Sequence, residues 1–350
     1  MSNVAAAPAV RRIPGLKIGI FGAMIIALIA SMLLAISAGR FSVSVPRILE
    51  IIMNWVASPS VAPAEMDERI VLLVRLPRVL LAALAGAGLA VGGAALQGVF
   101  RNPLVSPQVL GISQGAAFGG ALSLLLGFHG YVLLGLSFSY GLLALVLVGA
   151  LARINGRTEI LTVILSGTVI GALFGAFVSI VQFVADPNTS LPAIVFWLMG
   201  SFSTATWARL WLAVPGITVG LLIVFALRYR LNLLALEDSE ARSLGVNPDK
   251  ERWYVFIAIS LMTGTSVAVA GIIGWIGLVV PHAARILVGE DHRALIPASA
   301  LLGAAYLTFV DTLARTLTSA EIPLGVLTAI IGAPVFGVLL RRYFKEANRA

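Results

Sequence analysis

The chain has 350 residues, of which 59% are hydrophobic and 11% charged, with a formal net charge of +8. A soluble domain carries about 25% charged residues, so this composition leaves no room for a sizeable soluble domain. With no cysteine, the chain has no disulfides, iron–sulfur ligands or thiol nucleophile.

Apolar runs recur from end to end, most of them near or above the roughly 20 residues that cross a bilayer as a helix. They are continuous rather than alternating every second residue, which favours helices over a barrel. The expected fold is an all-α polytopic membrane protein, a single transmembrane domain over 1–350 with about ten spans. In chain order these are 16–39, 72–99, 106–127, 131–151, 160–184, 208–228, 253–273, 275–289, 294–317 and 323–344. The first could pass for a signal peptide, but no clear small-residue cleavage site follows, so it reads as a retained span. The eighth is short and contains Pro281, so a tilted or incomplete span is expected there. Between the fifth and sixth, 191–202 is too short to cross and carries Phe196 and Trp197, which predicts an interfacial helix.

The most informative stretch is 75–121, crowded with glycine and broken at Asn102-Pro103 and Ser106-Pro107. Small residues let helix backbones approach closely, and non-helical backbone at membrane depth belongs beside protein or a polar path. Gly86, Gly93, Pro103 and Gly111 share their spacings with Gly264, Gly271, Pro281 and Gly289. This weak repeat puts the second and seventh spans in register with opposite directions, an inverted repeat of the kind found in transporters. Ten spans put both termini on one side. Placing that side in the cytoplasm leaves 17 of the 24 Lys and Arg inside and 7 outside, as the positive-inside rule requires. The net positive charge is therefore read as topology rather than as a nucleic-acid surface.

Arg75, Arg78 and Arg315 sit at the outer ends of spans. They read either as snorkelling cations, with Asp311–Arg315 as an i,i+4 pair, or as a basic rim for an acidic external partner. The inner loop 231–252 holds Glu237, Asp238, Glu240, Ala241, Arg242, Leu244 and Gly245. It reads as a solvated hairpin or as a short amphipathic helix fitting a groove on a cytoplasmic partner. Gly111-Ile112-Ser113-Gln114-Gly115 matches the G-x-S-x-G pattern, but no strand-to-helix elbow surrounds it, so close packing is the preferred reading. His282 would be alone as a metal or haem ligand and reads as a packing histidine. Gln97, Gln182 and Asp311 do not make the carboxylate chain of a proton-coupled carrier. No G-x-x-x-x-G-K-[ST] motif is present, so ATP hydrolysis by this chain is not expected.

Six blocks carry a family resemblance: RLPR (75–78), GAALQGVFRNPLVSPQVLGISQGA (93–116), FWLMGSF (196–202), EARSLG (240–245), GLVVPHAARIL (277–287) and EIPLGVLTAIIGAPVFGVLL (321–340). Together they resemble the permease subunits of bacterial ABC importers for iron–siderophore complexes, haem and cobalamin, the FecCD-type or type II importers. The resemblance implies a homodimer of ten-span subunits in the inner membrane. Two ATP-binding cassette subunits, holding ATP and magnesium, would sit below it and a periplasmic substrate-binding protein above. No cofactor is implied for this chain itself. The resemblance also places Arg75, Arg78 and Arg315 on the docking arginines, 237–245 on the coupling helix, and Arg157, Thr158 and Thr162 at the cytoplasmic gate. The residues TEILT at 158–162 depart from the small hydroxyl pair expected at such a gate, and Glu237 stands where relatives often have glycine. The 40–70 connection matches no motif.

Overall fold

The computed structural model describes residues 14–39, 41–58, 63–154 and 157–347. The helices, in order, are α1 (Pro14–Ser37), α2 (Val45–Ala57), α3 (Met66–Arg69), a π turn (Ile70–Arg75), α4 (Leu76–Val99), a 3-10 turn (Pro107–Leu110), α5 (Ile112–Leu125), α6 (Tyr131–Ala152), α7 (Ile160–Val184), α8 (Ser190–Leu198), α9 (Trp207–Leu234), α10 (Asp238–Ser243), α11 (Pro248–Ala270), α12 (Ile276–Val288), α13 (His292–Thr316) and α14 (Leu324–Ala347). Seven helical stretches are long and apolar enough to cross a membrane, and three shorter apolar helices fall at the third, eighth and tenth expected spans. The protein is thus an all-α polytopic bundle. A two-residue antiparallel hairpin, Arg153–Ile154 against Arg157–Thr158, links α6 to α7.

The departures from the expected boundaries have local causes. The second span starts early, at Met66, and winds through the π turn before Pro77. Proline has no N–H to return to the preceding turn, and the widened turn takes up that mismatch. The third span does not begin as a helix. Pro107 opens a 3-10 turn, Gly111 adopts φ +69°, and only then does α5 start. The segment expected to be interfacial forms α8, whose Trp197 ring lies against Gly120 of α5 closely enough that a β-carbon there would sit 2.0 Å from the ring.

Spans 66–99 and 248–270 are the most enclosed, each 78% buried over its apolar window, whereas the first is 17% buried. They are the pair that the repeat relates, and Gly111 and Gly289 both adopt positive φ. Glycine sets how closely α4 meets its neighbours. A β-carbon on Gly86 would lie 2.2 Å from the Gly303 carbonyl oxygen, and one on Gly303 would lie 2.4 Å from that of Gly86. A β-carbon on Gly93 would lie 1.9 Å from the Gly277 carbonyl oxygen. That carbonyl lies one turn before Pro281, which cannot donate to it. The backbone of Gly93 therefore covers an acceptor that lipid could not satisfy.

Three helix ends meet through backbone alone. Ser201 N donates to Ala270 O (2.8 Å), Leu324 N to Gly200 O (2.9 Å) and Gly325 N to Met199 O (2.9 Å). Gly200 (φ +79°) and Gly271 (φ +71°) make this junction possible.

Candidate coupling and docking sites

Charged residues gather at opposite ends of the bundle. The 24 residues of α4, rising ~1.5 Å each, separate Arg78 from Arg101 by about 35 Å.

At the Arg101 end, α9 leads into α10. Glu237 caps α10: its side chain accepts an N–H of the first turn, while Glu240 accepts the Glu237 N–H at 3.3 Å. Gly245, at φ +81°, ends the helix, with its N–H on Arg242 O (2.9 Å) and that of Val246 on Ala241 O (3.0 Å). The seven expected coupling residues divide into two faces. Glu237, Glu240, Arg242, Leu244 and Gly245 are exposed, Leu244 at 59%. Ala241 is fully buried, and Asp238 turns inward.

Asp238 is the anchor of this loop. Its Oδ1 accepts from Arg252 Nη2 (2.5 Å) and Arg101 Nη2 (3.0 Å), and its Oδ2 from Arg252 Nη1 (3.0 Å). Arg252 is 2% exposed. Arg101, itself at φ +51°, also donates its Nε to Leu234 O at the end of α9 (3.1 Å). Burial alone would raise the Asp238 carboxyl, but the hydrogen bonds and charges of Arg252 and Arg101 outweigh it and hold the group below the usual carboxylate range. Arg101 and Arg252 carry no sequence signal for this role, since they meet Asp238 only through the fold.

At the other end the three expected docking arginines are not free cations. Arg75 is 6% exposed and donates to the carbonyls of Ile36 (2.6 Å), Ser37 (3.2 Å) and Phe41. Arg315 donates to the carbonyls of Ala38 (2.8 Å) and Ala35. The Asp311–Arg315 pair expected from i,i+4 spacing does not form a hydrogen bond. Asp311 instead accepts from Arg78 Nε and Nη2, each at 2.9 Å, and Glu321 accepts from Arg78 Nη1 (2.8 Å) and Nη2 (3.0 Å). The partners of Arg75 and Arg315 lie in the last turn of α1 and just after it, where the chain must turn. Its carbonyls there lack helical donors, so the guanidiniums supply them.

Arg157 and Thr158, two of the residues expected at the gate, form the second strand of the 153–158 hairpin; their side chains lie outside the described residues. Thr162 closes the hairpin onto α7, donating to Ala152 O (3.1 Å) and Glu159 O (2.7 Å). Ser113 lies on α5, 4% exposed, with no strand before it. A β-carbon on Gly115 would fall 2.5 Å from Tyr140 O, so these glycines serve close packing. His282 borders a polar recess of about 670 Å³ together with Gln97, Arg101, Asn232, Arg285 and His292. Gln97 ties this region together, donating to Val105 O (3.3 Å) and accepting from Arg285 Nη2 (3.0 Å).

A many-spanned helical bundle with broken helices and the capped, ion-paired helix α10 at its Arg101 end is the architecture of a membrane permease. The chain matches the FecCD transport family over residues 27–342 and belongs to that family, as the permease subunit of an ABC importer, with ATP hydrolysis in a partner subunit. It is 42% identical over 315 residues to the molybdate import system permease MolB of Haemophilus influenzae, covering 89% of this chain and 92% of MolB. It is 40% identical over 284 residues to the hemin transport permease HmuU of Yersinia pestis, covering 79% and 84%. It is also 40% identical over 280 residues to the cobalamin permease BtuC of Halobacterium salinarum, covering 79% and 74%. A solved metal-chelate type ABC transporter in an inward-facing conformation superposes with a TM-score of 0.83 at 39% identity, covering 94% of this chain and 100% of that one.

Proposed function

We propose that this permease works as a homodimer in the bacterial inner membrane, with both termini and α10 in the cytoplasm. Two ATP-binding subunits lie below it and a periplasmic binding protein above. The cargo is a ferric siderophore or haem. The observation that carries the reading is α10, a capped helix with Leu244 exposed and its inner face fixed by Asp238. A helix held this way transmits force. ATP-driven closure of the partner moves α10, and Arg101 and Arg252 pass the displacement to the α4–α5 turn and to α11. The energy is the differential affinity of the ATPase pair for two permease states. The path itself binds cargo weakly, because a tight site would trap it.

Docking through Arg75, Arg78 and Arg315 belongs to this proposal in modified form. Each guanidinium must exchange an internal acceptor for a carboxylate of the binding protein, and Arg78 is the best placed because Glu321 is half-exposed.

The relative named for hemin supports an iron-bearing cargo. Cobalamin is the alternative within the family, and the molybdate relative, at 42% identity, favours an oxyanion as a second reading. Proteoliposomes carrying the permease, its ATPase and its binding protein separate these possibilities when offered ferric siderophore, haemin, cobalamin and molybdate. ATP-dependent uptake of an iron compound is expected. Uptake without the ATPase overturns the importer reading, and uptake of molybdate alone overturns the cargo.

A further inference from the structure

Helix α2 has no part in the transport reading, yet its sequence is patterned on three sides. At ~100° per residue, Ile48, Ile51 and Trp55 share one arc. Ile48 and Ile51 are 0% and 2% exposed and pack with Ala35, Ile36, Val71, Leu72 and Val79. Arg47, Glu50 and Asn54 share a polar arc, where Arg47 reaches Glu50 at 3.1 Å and Asp67 at 2.7 Å. Between these arcs, on the remaining side, stand Val45, Leu49, Ile52, Met53 and Val56. Leu49, Met53 and Val56 are 48%, 69% and 66% exposed, and no side chain on this arc carries a charge or a hydrogen-bond donor. Side chains of this kind gain from leaving water, so a helix bathed by solvent on that side has no reason for this pattern.

The position of α2 says what covers it. The helix follows the end of α1, whose outward residues Ile25, Ile26, Ile29 and Leu34 are exposed along a span only 17% buried. Leu73 and Val74, 50% and 57% exposed on the π turn, continue the same belt. Beside them Trp55 stacks on Trp207 with centroids 5.7 Å apart, and Trp207 Nε1 donates to Leu72 O at 2.8 Å. Tryptophan gathers at the level of lipid headgroups. An uncharged arc that continues a lipid-facing belt beside a tryptophan pair fits acyl chains better than it fits a protein surface, whose contacts would include polar groups at the rim.

We propose that α2 is an interfacial membrane helix. It lies along the leaflet at the Arg78 end, with Leu49, Met53 and Val56 in the acyl boundary, Ile48 and Ile51 on the bundle, and Arg47, Glu50 and Asn54 in water. The anchor has a mechanical consequence. Among the carbonyls that hold Arg75 and Arg315, those of Phe41 and Ala38 belong to the segment between α1 and α2, so lipid fixes that segment from one side while the bundle fixes it from the other. The inference rests on membrane residence alone and does not depend on the cargo or on ATPase coupling.

The natural absence of cysteine makes the test clean. Single cysteines replace Leu49, Glu50, Met53, Asn54 and Val56 in the full chain, each is labelled with a nitroxide, and the protein is placed in nanodiscs of phosphatidylethanolamine and phosphatidylglycerol. All five positions are exposed, so the label does not enter the core. The expected result is a severalfold higher ratio of oxygen to nickel-chelate collisions at 49, 53 and 56 than at 50 and 54. Equal nickel accessibility at all five would put the arc in water and overturn the proposal. Low accessibility to both probes at 49, 53 and 56 would mean that protein covers the arc, and would overturn it equally.

Discussion

Arg78 and Asp311 stand 233 residues apart in the chain and form a two-pronged pair across α4 and α13, with Nε on Oδ2 and Nη2 on Oδ1, each at 2.9 Å. Both residues are buried, at 8% and 1% exposure. Removing Arg78 strands the buried Asp311 carboxylate, at a cost of about 3–5 kcal/mol, whereas removing Asp311 leaves Arg78 its Glu321 partner. Arg78→Met is therefore expected to lower the melting temperature of the purified permease sharply, and Asp311→Ala less so. Arg78→Met combined with Asp311→Leu should recover much of the loss. A double variant as unstable as the sum of the two singles would show that the pair is not the unit.

Glu321 competes with any external carboxylate for Arg78. Glu321→Gln keeps the shape and removes the charge, so the binding protein should associate several-fold more tightly and with a steeper salt dependence. Unchanged affinity, measured by surface plasmon resonance on reconstituted permease, would remove Arg78 from the docking face.

Asp238 should act as a pH-sensitive pin. Its folded carboxyl lies below the usual range because Arg252 and Arg101 outweigh its burial. Its contribution is thus complete above the unfolded value of about 3.9 and is lost as pH falls through the folded value. Hydrogen exchange of the α10 amides, corrected for intrinsic rates, should accelerate only in that acid window. Asp238→Asn, which loses charge-assisted bonds costing about 1–3 kcal/mol in total, should show the fast exchange at neutral pH and turn over ATP without matched transport.

Leu244 and Glu240 are exposed neighbours with different duties. Glu240 caps its own helix, so replacing it disorders α10 by about 1 kcal/mol as well as altering its surface. Leu244 has no such internal role and is the cleaner probe. Leu244→Glu should abolish ATPase co-purification while leaving the melting temperature of the isolated permease within a degree or two. Retained co-purification would move the coupling contact elsewhere.

Gly93→Ala should damage the bundle more than an alanine in a helix normally would. The new β-carbon meets the Gly277 carbonyl at 1.9 Å and must push α12 away, at about 1–3 kcal/mol. It would also uncover the acceptor that Pro281 leaves unpaired. A thermal melt within error of the parent protein would show that this crossing is loose.

The order of the apolar helices, the shortness of the eighth, the short α8 and the close approaches at Gly86 and Gly93, but not α2, are legible in the sequence. These follow from hydrophobic run length and from residues whose backbone freedom is local. The start of 66–99 was less legible, because Pro77 acts through a turn that only the surrounding packing selects. The arginines show the limit most clearly. Arg75, Arg78 and Arg315 are visible in the sequence as charges at the ends of apolar runs, and Arg315 stands at helical spacing from Asp311. Packing in three dimensions decides that Asp311 belongs to Arg78, that Arg75 and Arg315 hold the carbonyls at the end of α1 and just beyond it, and that Asp238 faces Arg101 and Arg252 rather than a partner. A charge finds its acceptor through distances set by helix packing, and those distances are not a function of separation along the chain.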